Sequence, residues 1–328
     1  MKPTIAVISI GEMGLGIARL LKAHDYRVVS NVSDRSNATK ARVTAHAIEA
    51  IPSDVELVEE ADYVLSIVPP RDALSTAQRI RAAVVASPRI SSGGKALSFL
   101  DLNAVSPQTA RQVANVFRDT TGVCFVDGVI SGGVPHEREP TSEDSKGSAS
   151  WHCPTLLLCG PEHVQDTELV SVLHMEHMSE KIGAATAVKM CFGMTTKGFI
   201  ALAIQSFTTA YRLGVLDELQ EYLGRYKPAT LEAAQDGLVR MPHTAYRWYF
   251  EMLEMGETAS EYGGFDKTLF EGVAECYRIV SEDTILGSEL PDARIRGKTV
   301  EDVVKLISEG IDANKSKESD HANGDPIP

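Results

Sequence analysis

Six residues near the start of the chain, Gly11-Glu12-Met13-Gly14-Leu15-Gly16, have the composition of a phosphate-binding turn. Glycine lets the backbone turn tightly and lets a pyrophosphate approach with no Cβ in the way, while a helix starting there offers unpaired N–H groups and a positive dipole end. The spacing is G-x-x-G-x-G rather than G-x-G-x-x-G. It nevertheless follows an apolar run, Thr4-Ile5-Ala6-Val7-Ile8, and opens a helix-forming segment, the context a dinucleotide turn requires. A dinucleotide held there implies redox chemistry; a glycine-rich turn without a ligand is the plainer alternative.

The residues that tell NAD from NADP belong at the end of the second strand, about 20 residues past the glycines. That region reads Val32-Ser33-Asp34-Arg35-Ser36. Asp34 could accept the ribose hydroxyls of NAD, whereas Arg35 with Ser33 and Ser36 could hold a 2′-phosphate through charge-assisted hydrogen bonds. Arginine beside serine favours NADP, with Asp34 turned outward and NAD as the alternative. For Arg35 the plain reading is a solvated charge. Two further strand exits, Ser66-Ile67-Val68-Pro69-Pro70 and Asp101-Leu102-Asn103-Ala104, end at the sheet edge where open α/β folds bind ligands. Val68, Pro69, Pro70 and Asn103 are therefore expected cofactor neighbours. Without a ligand, the prolines would only end a strand and Asn103 would only precede a helix start at Pro107.

The elements that must position these residues follow from periodicity. Short β-rich runs near 4–9, 27–32, 63–68, 96–101, 123–127 and 155–159 alternate with segments whose apolar positions recur every three or four residues, at 14–23, 73–85 and 108–118. That alternation predicts βαβ units around a parallel sheet of Rossmann type over residues 1–180. Residues 134–150 are polar and charged and are expected to be an exposed mobile loop, either a surface insertion or an active-site lid. From Ala184 strand signals fade, and residues 184–213 are apolar on several faces, as a helix buried in a core or a subunit interface would be. Further helices are expected near 215–223, 229–239, 243–255, 265–281 and 298–312, giving a helical substrate and dimerisation domain over 181–313 and a disordered tail over 314–328. A homodimer is expected, because the long apolar helix presents more surface than a small helical domain covers.

Bulk composition limits the partners. At 328 residues the length favours two domains, and 43% apolar with 23% charged residues is a globular composition. A formal charge of −13 argues against nucleic acid, whose binding relies on phosphate neutralisation by Lys and Arg. The five cysteines are scattered and form no C-x-x-C pair, so free thiols in a reducing, cytoplasmic compartment are expected. No leader-like segment is evident, and no uninterrupted apolar stretch approaches the roughly 20 residues of a membrane span. No metal is expected: His174-Met175-Glu176-His177 lacks an H-E-x-x-H pattern or a cysteine pair and reads as a solvated face. A hydrolase is disfavoured too, because G-x-S-x-G is missing.

Four blocks, in order, carry a family resemblance: Gly11-x-Met13-Gly14-x-Gly16, Val68-Pro69-Pro70, Asp127-Gly128-Val129-Ile130-Ser131-Gly132-Gly133, and Lys189 on the long helix. Together they resemble the β-hydroxyacid dehydrogenases, which include 3-hydroxyisobutyrate and 6-phosphogluconate dehydrogenases and, more distantly, imine reductases. The segment around Thr196-Lys197-Gly198 resembles a subgroup with no assigned substrate. The resemblance implies a Rossmann domain followed by an all-α 6-phosphogluconate-dehydrogenase-like domain. It further implies a small hydroxyacid or related alcohol as substrate, Lys189 as catalytic acid/base, and Ser131, Gly132 and Gly133 as substrate ligands. A lysine beside apolar Met190, Phe192 and a nicotinamide should have a lowered pKa and carry protons usefully; a snorkelling surface lysine is the alternative. The family's asparagine four residues after the lysine is replaced here by Gly193. Thr196 could partly replace it, or Gly193 could admit a bulkier substrate or close helix packing. An imine reductase and a non-catalytic NADP sensor are the competing functions.

Overall fold

The computed structural model describes residues 2–138, 151–289 and 294–322. They form two compact units, Met1–Met190 and Cys191–Pro328. The division falls ten residues beyond the expected boundary at 180, because the first turns of the long helix belong to the first unit: Ala185 is packed with Val129 and Cys159 of the sheet.

The first unit is built on ten strands, β1 (Thr4–Ile8), β2 (Arg27–Asn31), β3 (Glu49–Ile51), β4 (Tyr63–Ser66), β5 (Leu97–Asp101), β6 (Val123–Ser131), β7 (His136–Glu137), β8 (Trp151–His152), β9 (Thr155–Cys159) and β10 (Met175–Ser179). Eight of them make one sheet in the order β10-β9-β6-β5-β4-β1-β2-β3, the Rossmann order extended at one edge. Neighbours run parallel except β6 and β9, which pair antiparallel. The helices are α1 (Glu12–Ala23), α2 (Asn37–Ala45), α3 (Asp54–Glu60), α4 (Ala73–Ala86), α5 (Pro88–Ser91), α6 (Pro107–Phe117), α7 (Thr167–Val172) and the start of α8 (Ala184–Leu213).

Strand side chains alternate between faces, so the run at β1 feeds two cores: Ile5 and Val7 join one, Ala6 and Ile8 the other. A sheet covered on both faces is why this strand is apolar throughout. Within the eight-stranded sheet, the two strands not expected from sequence are β3, only three residues long, and β10, an edge strand whose alternate residues are polar.

Two expectations for irregular chain are corrected. Of the presumed loop at 134–150, His136–Glu137 forms β7 and pairs antiparallel with Trp151–His152. The base of this ribbon is tied to α1: a Cβ at Gly16 would meet Val134 and Pro135, and the Arg19 guanidinium lies over the Trp151 ring. Residues 139–150 lie outside the described residues. In the presumed tail, helix runs on to Ala322, since turns anchored by buried Val303, Val304 and Ile307 let helix propagate at little cost per residue. Residues 323–328 lie outside the described residues.

The second unit is helical: the remainder of α8, α9 (Leu216–Tyr226), α10 (Pro228–Arg240), α11 (Ala245–Gly263), α12 (Thr268–Glu282) and α13 (Val300–Ala322). Its centre holds Tyr277, fully buried, whose ring meets Trp248 edge-on at 5.3 Å and whose hydroxyl donates to the Lys197 carbonyl. Lys197 itself pairs with Glu251 and lies 4.8 Å over the Trp248 ring. Burial lowers the pKa of this lysine against the pull of Glu251. Contrary to the expectation from the sequence, α8 is long and apolar enough to cross a membrane by length and composition, with a third of its most apolar stretch buried.

Candidate active site

The glycine turn leaves β1 through Ser9, whose φ of +74° is a left-handed conformation that is uncommon outside glycine. Each glycine that follows has its own reason. A Cβ at Gly14 would lie 2.0 Å from the Ser9 carbonyl oxygen, so this residue lets α1 close on the strand exit. A Cβ at Gly11 would meet only the Ser9 hydroxyl, at 3.8 Å, and otherwise open space. Gly11 is the N-cap of α1 and no described side chain caps the helix. The orphan N–H groups of the first turn therefore point out of an uncovered end, flanked by Glu12 and Met13. The helix start fits a dinucleotide pyrophosphate: no described side chain caps it, the dipole has the right sign, and the space at Gly11 is open, whereas Gly14 and Gly16 serve packing on Ser9 and on Val134 and Pro135.

At the end of β2 the side chains are cross-braced. Asn31 donates to Asp54 at 2.7 Å, and Ser33 donates to Asn31 through both its amide and its hydroxyl. Asp34 sits between Arg35 at 3.3 Å and Arg79 of α4 at 3.7 Å, and Arg79 also pairs with Asp54 at 2.8 Å. The Asp34 side chain is exposed apart from these two ion pairs. Ser36 is the N-cap of α2, accepting from the Thr39 amide, which gives it a structural duty apart from any phosphate. Arg79 was not singled out from sequence; one arginine on an amphipathic helix carries no local signal, and only the fold brings it to the β2 end.

The two remaining strand exits are locked together by Asn103. Its side chain is 2% exposed, accepts from the Val68 amide at 2.7 Å, and donates to Ser66 and to Asp101. Asn103 therefore fixes the Val68-Pro69-Pro70 backbone rather than presenting a free amide. Asp101 is deeply buried beside Asp127, its register partner on β6, and its carboxyl is pushed up to about 8, first by burial and then by that neighbouring charge.

Asp127 leads to the expected catalytic residue. Its Oδ2 accepts from the Gly183 amide at 2.6 Å and from the Cys159 thiol at 3.1 Å, and Cys159 in turn receives the Ala185 amide. Burial pushes this thiol up to about 11, so it keeps the proton it donates. The start of α8 is thus fastened to the ends of β6 and β9. Six residues on, Lys189 reaches back to the same strand, its Nζ donating to the Ile130 carbonyl at 2.8 Å. Ile130 immediately precedes Ser131, Gly132 and Gly133, where β6 ends and Gly132 adopts a φ of +128° against Pro154. The structure brings Lys189 and the Ser131-Gly132-Gly133 turn together within the first unit.

Thr196 and Gly193 belong to the second unit. The Thr196 hydroxyl donates to the Phe192 carbonyl, a helical back-bond that occupies its donor. A Cβ at Gly193 would stand 2.0 Å from Met255 Cε, so glycine at this position serves close packing of α8 on α11. The neighbour is the mobile end of the Met255 side chain, so the contact fits the close-packing reading of this departure from the family pattern.

Comparison with known proteins places this geometry. Residues 4–142 match the NAD binding domain of 6-phosphogluconate dehydrogenase, and residues 210–280 match a domain of unknown function, DUF1932. An uncharacterised 28.5 kDa protein from Methanothermus fervidus is 24% identical over 67% of this chain and 75% of its own length. Among solved structures, a conserved protein of unknown function, described as structurally similar to 3-hydroxyacid dehydrogenases, superposes with a TM-score of 0.58 at 23% identity, covering 84% of this chain and 97% of that one. A 3-hydroxyisobutyrate dehydrogenase from Mycobacterium tuberculosis, studied with L-serine, gives a TM-score of 0.57 at 18% identity over 93% and 99%. An imine reductase variant from Myxococcus stipitatus, in complex with NAD+, gives 0.51 at 18% over 86% and 94%. The chain thus joins an NAD-binding domain of the 6-phosphogluconate dehydrogenase type to a DUF1932 domain, in the fold shared by the 3-hydroxyacid dehydrogenases.

Proposed function

We propose that this protein is an NADP(H)-dependent oxidoreductase that interconverts a small hydroxyacid, or a related alcohol, and its carbonyl, with Lys189 as acid/base. The observation that carries the proposal is the Lys189 ammonium held 2.8 Å from the Ile130 carbonyl, next to Ser131, Gly132 and Gly133. Gly11, Glu12, Met13, Gly14 and Gly16 would hold the pyrophosphate, with Val68, Pro69, Pro70 and the Asn103 brace beside the rest of the cofactor. The nicotinamide, when bound, supplies or accepts the hydride.

The chain's own groups do the remainder. Lys189 gives a proton to the carbonyl oxygen during reduction, or takes the hydroxyl proton during oxidation. Asp127 and Cys159 fix the helix start and therefore where the amine lies. The Ser131 hydroxyl and the backbone amides of Gly132 and Gly133 orient a carboxylate or hydroxyl. For the nucleotide, a 2′-phosphate would have to draw Arg35 and Arg79 away from Asp34 and Asp54, with which they now pair; Arg35 and Ser33 at the end of β2 are the support for NADP, and Asp34 is the support for NAD.

A screen of small hydroxyacids, oxoacids and cyclic imines with NADPH and NADH tests the proposal directly. Turnover of a hydroxyacid or oxoacid is expected, and Lys189→Ala should lower kcat by about 10²–10⁴-fold with cofactor affinity unchanged. Turnover of imines alone would transfer the assignment to imine reduction. Cofactor binding with no turnover in the wild type, and a variant that behaves identically, would make the chain a nucleotide sensor.

We also propose a homodimer and a reducing, cytoplasmic location. The first is supported by apolar side chains left exposed on α8 and α9, the second by five unpaired cysteines.

A further inference from the structure

At the outer edge of the sheet, away from the glycine turn, three metal-ligating side chains converge. They are His163, in the loop after β9, His177 of β10, and Glu180, just past that strand. Their ligand atoms all lie within 4.8 Å of one another. The two imidazoles stack with centroids 3.7 Å apart and planes 23° from parallel, and His163 Nε2 is 3.2 Å from Glu180 Oε1.

Two independent features set this group apart from an ordinary polar edge. Both ring nitrogens of His177 are buried, and neither has a hydrogen-bond partner among the described residues. A buried polar atom left unpaired is costly, and such an atom in a folded protein signals a missing partner. The second feature is the backbone. The β10–β9 register shifts between His177 and Ser179, an edge-strand bulge of the kind that re-aims side chains.

We propose that His163, His177 and Glu180 form a site for one divalent transition-metal ion of zinc type. Two imidazoles and one carboxylate are the ligand types such an ion prefers, with water completing four-coordination. In the stack the in-plane lone pairs of the two rings do not yet converge, so binding requires the exposed His163 ring to swing out of the stack until a nitrogen from each ring points at one ion. With bonds of about 2.1 Å, ligand atoms around one ion are at most about 4.2 Å apart. The 4.8 Å group must close slightly, and the two ligands free to move are the exposed ones: the His163 and Glu180 side chains are 46% and 70% accessible. Occupied, the site would clip the loop after β9 to an edge strand and give His177 the partner it lacks. The proposal is independent of the dehydrogenase assignment.

The test uses the untagged full-length protein, stripped with a chelator and titrated with zinc by calorimetry, with competition against a chromophoric chelator. One ion per chain at micromolar or tighter affinity is expected. His177→Ala and Glu180→Gln should each weaken binding at least tenfold and abolish the zinc-dependent rise in Tm. Two controls should bind as the wild type does. His174→Ala removes an exposed imidazole from the turn leading into β10, and His152→Ala dismantles the other imidazole pair, His136 and His152, with centroids 5.0 Å apart. Absence of stoichiometric binding, or loss that follows His152 rather than His177, overturns the site. Glu180→Gln, at a highly exposed position, keeps the result interpretable if His177→Ala folds poorly.

Discussion

Asp101 and Asp127 are paired in register on adjacent strands, both almost wholly buried, and one oxygen of each has no hydrogen-bond partner among the described residues. Their carboxyls are pushed up to about 8 and about 6, chiefly by burial. Because the native state then holds protons that the unfolded chain releases near pH 4, the pair's contribution to stability is fully present below that value. It is lost as pH rises through the folded pKa values. Asp101→Asn cannot ionise and should flatten the decline. Urea unfolding should show the variant gaining on the wild type between pH 5 and pH 8.5, by roughly 1–3 kcal/mol from the shift in proton binding. A difference that stays constant with pH would contradict the shared burial argument. Gly193 gives a second residue-scale prediction. Gly193→Asn, which restores the family's usual side chain, should destabilise by about 1–3 kcal/mol through overpacking on Met255, and Met255→Ala should relieve part of that loss in the double variant.

At the scale of elements, what sequence disclosed and what it hid divide along physical lines. Strands buried on both faces announce themselves as apolar runs, and so β1, β2, β4, β5 and β9 were legible. The short β3 and the polar-faced edge strand β10 carry no such run. The sequence places a strand near 123–127; β6 continues to Ser131 because β9 offers it an antiparallel partner. The glycine turn and Lys189 were visible from type and order alone. The Asn103 brace, the Asp127 to Gly183 tether and Arg79 were not, since each depends on a neighbour far away in sequence. The turn makes a prediction that separates packing from binding. Gly14→Ala drives a Cβ into the Ser9 carbonyl oxygen and should lower both Tm and nucleotide affinity. Gly11→Ala meets open space, so its stability should change by no more than about 1 kcal/mol. Its affinity for the nucleotide should still fall at least tenfold, because the methyl group occupies the pyrophosphate approach. Equal effects of the two substitutions on Tm would show that the turn is only structural.

For the molecule as a whole, the apolar surface of the helical unit needs an explanation. Leu202, Leu213 and Tyr222 are each more than half exposed, and with Ala210, Val215 and Leu219 they line a groove of about 820 Å³ between α8 and α9. Isolated exposed hydrophobic residues are ordinary, but a groove lined by this many apolar side chains marks a contact surface. A second copy of the chain is the partner that fits a closed homo-oligomer, since a two-fold axis buries the same patch on both subunits without leaving a free one. Sedimentation velocity at micromolar concentration should therefore show a dimer. Leu213→Glu, which places a charge at a position already 71% exposed in the single chain, should leave the fold intact and shift the species to monomer. A wild-type monomer at that concentration would remove the dimer. A variant that remains dimeric would move the interface off this groove, leaving the α8–α9 surface to a different partner.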